Sequence, residues 1–452
     1  MPTRRCWIFA FIALTICTVF TRADDQPKTQ PFLEPMKENY LKLADETEKV
    51  FRHDVLGVWF PACIDDDHGG FYCNFSRDWK RTTPSEGKFS VFQSRMTWVT
   101  SQVSLRRADL KDQYLPYAKH GAEFLENTLW DKQFGGFFWG LGDDGKINAS
   151  FGDAKGLYGI SFGLYGTAAA YQATKDPAAL KLAHDAFHWT DEHAHDAQNG
   201  GYFEWVTREG KVIKAGDPEA MHIPGGGVDG FPTGRKSMNT HIHLLEAFTQ
   251  LYQVWPDPKV KERLVEMLGI VRDKVCTDDG AMNMFFTADW KPISDRDSYG
   301  HDIETAYLLL EAAEVAGQAD DPKTQRIAKA LVDHVLAVGW DKQHGGVYNE
   351  GKFGGAPDNL GKDWWPQFES LNALLMMHEL YGKQNDQYFK DFQMQWRFIV
   401  DHQIDHEFNG VFETVDADGT AKSFTKSRMW KAAYHDGRAL MNVTERLKKL
   451  AE

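Results

Sequence analysis

DDDHGGF at 65–71, DKQFGGF at 131–137, DAQNGGY at 196–202, DKQHGGV at 341–347 and DHEFNGV at 405–411 are five copies of one turn, Asp-x-x-x-Gly-Gly followed by an apolar residue, with Asn replacing the first Gly in the last copy. A degenerate sixth copy surrounds Asp279-Gly280 and runs into MNMFFTADW. Successive starts lie 66, 65, about 80, about 65 and 64 residues apart, and the long interval contains the Gly/Pro-rich insert IPGGGVDGFPTG (223–234). The unit is therefore about 65 residues, present six times, and a fixed period of that size marks an architecture in which each unit buries its apolar face against its neighbours.

Within a unit the Gly-Gly turn precedes alternating residues and a second turn, as in GGFFWGLGDDGK, which reads as a short β-hairpin. Two helices follow. One, such as KGLYGISFGLYGTAAAY (155–171), is rich in small and aromatic residues with little charge and reads as buried on all sides. The next, such as DPAALKLAHDAFHWTDEH (176–193), opens with Asp-Pro and carries charge on one face, as expected of a helix facing solvent. Six such pairs predict an all-α fold, an (α/α)6 barrel of six inner and six outer helices with short β-hairpins at one mouth. The segment Glu34 to Phe60 supplies the outer helix that completes the ring. No Pro/Ser-rich or low-complexity break interrupts the period, so residues 24–452 read as a single barrel domain.

Residues 1–23 differ from the rest. Arg4 and Arg5 precede a 14-residue apolar run, Trp7 to Phe20, and then Thr21-Arg22-Ala23 gives way to acidic, polar sequence. This pattern predicts a secretory signal peptide cleaved after Ala23, since about 20 apolar residues are needed to span a bilayer. The expectation is an exported protein, periplasmic or secreted, with no membrane association after cleavage, acting as a monomer or homodimer. A formal charge of −14, from 51 Lys and Arg against 65 Asp and Glu, excludes a nucleic-acid partner held by clustered basic charge. Cys63 and Cys73 flank a Gly-Gly turn and could bridge in an oxidising compartment, while buried free thiols are the plainer expectation for them and for Cys276.

If the hairpins share one mouth, the inner helices begin there, and polar residues at those six starts should converge. They are Arg95 in KFSVFQSRMTW, Lys155 and Tyr158, Asn239 and His243 in KSMNTHIHLLEA, His301 and Glu304 in SYGHDIETAYLL, Trp364, Trp365 and Glu369 in DWWPQFES, and His435 in WKAAYHDGRAL. Taken singly, each has a structural explanation: a helical His is commonly a hydrogen-bonded core residue, Arg95 can be a charge partner, and a Trp pair can fill core volume. Their recurrence at one phase of the repeat is what packing alone does not require. The i, i+3 spacing of His301 and Glu304 puts imidazole and carboxylate on one helix face, where contact would raise the basicity of the ring for acid–base work. The same spacing could ligate a divalent ion with His243 or His435. An indole beside polar groups suits a sugar ring, whose C–H face is apolar.

At these motifs the chain resembles the N-acylglucosamine 2-epimerase superfamily, and within it the cellobiose 2-epimerase branch. The resemblance covers nearly all of residues 24–452 and implies the same (α/α)6 barrel. It also implies cofactor-free epimerisation at C2 of a reducing-end aldose, with a small carbohydrate substrate and no metal. Two bases on opposite sides of the sugar are then needed, and the resemblance assigns them to His435, which takes the proton from a gluco-configured substrate, and His301, which returns one. Glu304 would tune His301. Arg95, Asn239 and His243 would contact the carbonyl or enediolate oxygens, and Trp364 or Trp365 would stack a sugar, with Tyr158 and Glu369 as further binding residues. The chain departs from the cellobiose-type pattern at Ala432, Ala433 and Asp436. Two rival activities share the expected fold: aldose–ketose isomerisation through the same enediolate, and glycoside hydrolysis, which requires two carboxylates flanking a bond.

Overall fold

The structure, a computed structural model, describes residues 31–223, 233–422 and 425–452. The expected signal peptide and most of the insert at 223–234 lie outside the described residues.

Among the described residues twelve long helices alternate between two rings. The inner ring comprises α2 (Ser90–Arg106), α4 (Leu157–Thr174), α6 (Met238–Val254), α8 (Tyr299–Val315), α10 (Trp364–Tyr381) and α12 (His435–Leu450). The outer ring comprises α1 (Lys37–Val50), α3 (Lys111–Phe124), α5 (Pro177–Ala194), α7 (Pro258–Ile270), α9 (Pro322–His334) and α11 (Gln387–Phe398). Successive inner helices from α2 to α12 pack side by side, and each of α2, α4, α6, α8 and α10 also packs on the outer helix that follows it. The first outer helix, α1, packs on the last inner helix, α12, and closes the circle as expected for an (α/α)6 barrel.

Composition explains which helix goes where. On α4 nearly every residue is buried, and the small residues set the spacing: a Cβ at Gly163 would collide with the ring of Phe137. Outer helices α5, α7 and α9 begin at Asp176, Asp257 and Asp321, whose carboxylates accept N–H bonds of the first turn, while a proline occupies the first helical position, where no N–H is required. Their apolar stripes join one contiguous core that runs through all six units. Among the described residues no helix is long and apolar enough to cross a membrane.

The repeated turn builds the decorated mouth. In each of five copies the aspartate accepts bonds from the two turn N–H groups that follow it by two and three residues, as Asp131 does from Gln133 and Phe134. The same carboxylate receives a buried lysine from the short strand that precedes the next inner helix: Lys88 on Asp65 (2.6 Å), Lys155 on Asp131 (3.1 Å), Lys236 on Asp196 (2.7 Å), Lys362 on Asp341 (2.8 Å) and Lys426 on Asp405 (2.7 Å). Each ammonium also donates to a carbonyl of the turn. The glycines supply positive φ, and in the last copy Asn409 takes the role at φ 58°, a conformation Asn tolerates better than other side chains. Burial alone would raise Asp196, yet Lys236 and the turn donors hold it down to about 2.

One expectation needs correction. Lys155, placed among the convergent mouth residues by its position, is a buried structural cation, spent on Asp131 and two carbonyls. The expected hairpins are present and short: Glu350–Lys352 pairs with Pro357–Asn359, others close through single bridges such as Val206 with Val212, and further two- or three-residue ladders join neighbouring units, as in Lys155 with Val206 and Lys236 with Phe286. Strands this short gain more by pairing with the extended residues that lead into the preceding unit's inner helix. Cys63, Cys73 and Cys276 are buried free thiols.

Candidate active site

Nine of the ten site residues expected from sequence line one cavity of about 220 Å³: Arg95, Tyr158, Asn239, His243, His301, Glu304, Trp364, Trp365 and His435. Glu369, the tenth, lies fully buried beneath His435. Asp363, Arg428 and Trp430 complete the lining. The cavity opens at the mouth built by the turns, because four of the five turn lysines, Lys88, Lys155, Lys236 and Lys362, stand two residues before an inner helix and fix where that helix begins. Tyr158, Asn239 and Trp365 follow their anchoring lysines by three residues, and Arg95, His243 and Glu369 by seven, so each set forms a layer around the barrel axis.

His301 and His435 approach the indole of Trp365 from different helices, with ring centroids 4.7 and 5.6 Å from it. His435 holds Glu369 through Nδ1 at 2.6 Å, and His301 pairs its Nδ1 with the Ser298 hydroxyl at 2.7 Å. In both rings Nε2 is left for a ligand. Burial foremost, then the charges of His243 and Arg95, push His301 down to about 3. Burial, Arg95, Arg438 and the other two imidazoles push His435 well below its ordinary value. Both rings are therefore neutral near pH 7, the form able to accept a proton.

The floor of the cavity is an ion cluster. Arg438 of α12 reaches Glu304 and Glu246 through short bonds and Glu369 at 2.5 Å. Glu246 also receives Tyr434 Oη at 2.6 Å and holds His243 Nδ1 at 2.9 Å, and Tyr307 donates to Glu369 at 2.6 Å. Burial would raise Glu246, but Arg438 and His243 hold it down to about 2. Burial and the charge of Glu304 lift Glu369 to about 8 against the pull of Arg438. The expected contact between Glu304 and His301 is replaced by these pairings: a guanidinium in reach outcompetes a neutral imidazole for the carboxylate. The carboxylate that orients a catalytic-type imidazole is Glu369, on His435. A second cavity of about 360 Å³ lies beyond the cluster, lined by Trp98, Arg106, Tyr165, Glu246, Glu311 and Arg438 among others.

On the opposite side Arg95 donates to Tyr158 Oη at 3.0 Å and lies over the Phe162 ring, with its Nε unpartnered. Asn239 Oδ1 and Trp364 Nε1 are likewise buried and unpartnered among the described residues. A guanidinium, an amide, an imidazole and two indoles thus surround the Nε2 atoms of two neutral histidines, an arrangement suited to a polyhydroxylated ligand with a developing negative charge. Sequence reasoning missed Glu246, Tyr434 and Arg438. Glu246 was findable, since it stands three residues after His243, the spacing already noted for His301 and Glu304.

The N-acylglucosamine 2-epimerase (GlcNAc 2-epimerase) family profile matches residues 69–224 and 229–439. A cellobiose 2-epimerase of Bacteroides fragilis is 30% identical over 412 residues, covering 89% of this chain and 98% of that protein. The solved structure of cellobiose 2-epimerase from Spirochaeta thermophila superposes with a TM-score of 0.78 at 28% identity, covering 92% of this chain and 99% of that one. A D-mannose isomerase of Marinomonas mediterranea is 23% identical over 416 residues, 87% of this chain and 95% of that protein.

Proposed function

Since the chain belongs to the N-acylglucosamine 2-epimerase family, and is thereby a carbohydrate epimerase, an isomerase, we propose that it inverts C2 of a reducing-end aldose through an enediolate, using His435 and His301 as its two acid–base groups. The observation that carries this reading is the pair of neutral imidazoles meeting at Trp365 from α8 and α10's neighbour α12, each with Nδ1 engaged and Nε2 free.

In the open-chain sugar the C2 proton is weakly acidic because the adjacent aldehyde can take up the electron pair. His435, steadied by Glu369, removes that proton from a gluco-configured substrate and becomes an imidazolium. Negative charge moves to the C1 oxygen, where Arg95, Asn239 and His243 supply donors. His301, which takes up a proton from solvent as the anionic enediolate forms beside it, delivers that proton to the other face of C2 and returns to neutral, His435 gives its proton back to solvent, and the aldehyde recloses. Each histidine is a base in one direction and an acid in the other. Trp364 or Trp365 stacks the sugar, which supports a cellobiose- or mannobiose-like disaccharide or an N-acylglucosamine as substrate. Aldose–ketose isomerisation differs only in returning the proton to C1, and the D-mannose isomerase relative keeps it in view. Hydrolysis is less well served: Glu304 and Glu369 sit side by side on the same Arg438 nitrogen instead of flanking a bond. We place the reaction outside the cytoplasm, in keeping with the Arg-led apolar leader at 1–23.

The test is NMR in D2O with cellobiose, mannobiose, glucose, mannose and N-acetylglucosamine. Deuterium at C2 together with the 2-epimer is the expected result. A ketose product would transfer the reading to isomerisation, and no exchange at C2 with any of the sugars would overturn it.

A further inference from the structure

Five of the six units hold a lysine ammonium at the same place, between the turn and the start of an inner helix. In the unit that begins α8 that lysine position is Asp297, on the short strand Arg296–Ser298, and the turn aspartate is Thr277. Two more groups face Asp297: Asp302 from the first turn of α8 and His334 from the end of α9. His334 Nε2 lies 2.8 Å from Asp297 Oδ2 and 3.9 Å from Asp302 Oδ2, and one ligand atom from each of the three residues falls within 4.8 Å of the others.

Asp297 and Asp302 are fully buried. The Met282 backbone N–H and the Asp297 carboxyl itself are the groups within reach of Asp302, Oδ1 of Asp297 lacks a hydrogen-bond partner among the described residues, and no Lys or Arg there pairs with either carboxylate. Buried carboxylates short of donors are costly, and two together more so. The other His–carboxylate cluster of this kind, Glu304, Glu369 and His435, is served by Arg438. Here the positive charge that every other unit supplies from its own chain is replaced by two carboxylates and an imidazole.

We propose that Asp297, Asp302 and His334 form a binding site for one divalent metal ion, zinc foremost, that takes the place of the missing lysine and ties α9 to the start of α8. One imidazole nitrogen with two carboxylate oxygens suits such an ion, and ligands about 2.1 Å from a tetrahedral metal lie about 3.4 Å apart, so the pair at 2.8 Å has to open and the pair at 3.9 Å to close by about half an ångström each. None of the three residues lines the cavity that holds His301, so the ion is structural.

Metal analysis of the full-length protein, after dialysis against buffer with trace zinc, tests the site. About one zinc per chain is expected in the wild type and less than a tenth in Asp302→Asn and His334→Gln, with a chelator lowering the Tm by several degrees and added zinc restoring it. Cobalt substitution should give a visible d–d band that both variants lose. Two results would overturn the proposal. One is negligible metal in the wild type with a Tm indifferent to zinc, manganese and chelator, in which case the two carboxylates share a proton and Asp302→Asn keeps the wild-type Tm. The other is stoichiometric metal retained in both variants, which would put the ion elsewhere. Because the readouts are metal content and Tm, the result is independent of whether the sugar chemistry above is right.

Discussion

The turns and the helix starts beside them lie only a few residues apart, yet one region repeats and the other does not. At the turns, five units use the same aspartate and the same buried lysine. Seven residues beyond the lysine position the side chains are Arg95, Phe162, His243, Glu304 and Glu369. The repeated layer anchors five of the six units, and the varied layer distributes different chemistry around one axis. The periodic lysine and aspartate are scaffold, and the residues that vary seven positions later include Arg95, His243 and Glu304 of the pocket wall.

The sharpest way to break that division is to remove chemistry without touching the scaffold. His435→Ala and His301→Ala should each lower kcat by about 10³-fold, within the 10²–10⁴ range for an acid–base group, with the Tm little changed. Substantial turnover in both variants would end the two-base assignment. The converse is Lys236→Met, which strands Asp196 in the interior. It should destabilise by about 3–5 kcal/mol in denaturant titration, while activity per folded molecule stays within about twofold. A Lys236→Met protein that is stable but inactive would mean the turns contribute to chemistry after all.

Between these extremes stands Glu246→Gln, which loosens Arg438, Tyr434 and His243 together without removing a proton carrier. We expect about a tenfold fall in kcat with KM nearly unchanged, read from steady-state kinetics. The smallest effect is in pH. A base must be neutral, and His301 and His435 are depressed below their ordinary 6.5, His301 to about 3, so the acid limb of kcat/KM should lie below pH 6. The unfolded chain binds the extra protons between those values. The depressed histidines therefore contribute stability that is whole above about pH 6.5 and declines as pH falls toward 3, whereas Glu369, raised to about 8, contributes stability that declines as pH rises from about 4.5 to 8. The Tm profile of His301→Gln should flatten on the acid side if this is correct.

The period, the ring and its closure by the first helix were legible in the sequence, because turn chemistry and apolar patterning are local. The membership of the pocket was nearly so: recurrence at one phase found Arg95, Asn239, His243 and His301 before any coordinates. Partnerships were not legible. Arg438 meets Glu246, Glu304 and Glu369 across separations of 192, 134 and 69 residues, distances that no spacing rule encodes. Spacing put Glu304 on the same helix side as His301 but could not say that Arg438 would claim it. Lys155 misled for the opposite reason, since its position at the mouth looked functional until four other units were seen to carry the same residue on the same kind of aspartate.

The placing of His435 and Arg438 on α12 also has a consequence in time. Synthesis delivers that helix after the other eleven, so a growing chain carries three facing carboxylates, Glu246, Glu304 and Glu369, before their shared counter-ion exists. Until α12 docks, those carboxylates have no guanidinium to share, and the base proposed above, carried on the same helix, is absent. On the proposed mechanism, completion of the site and closure of the circle are a single late event, and a chain cut short before α12 should be inert toward sugars.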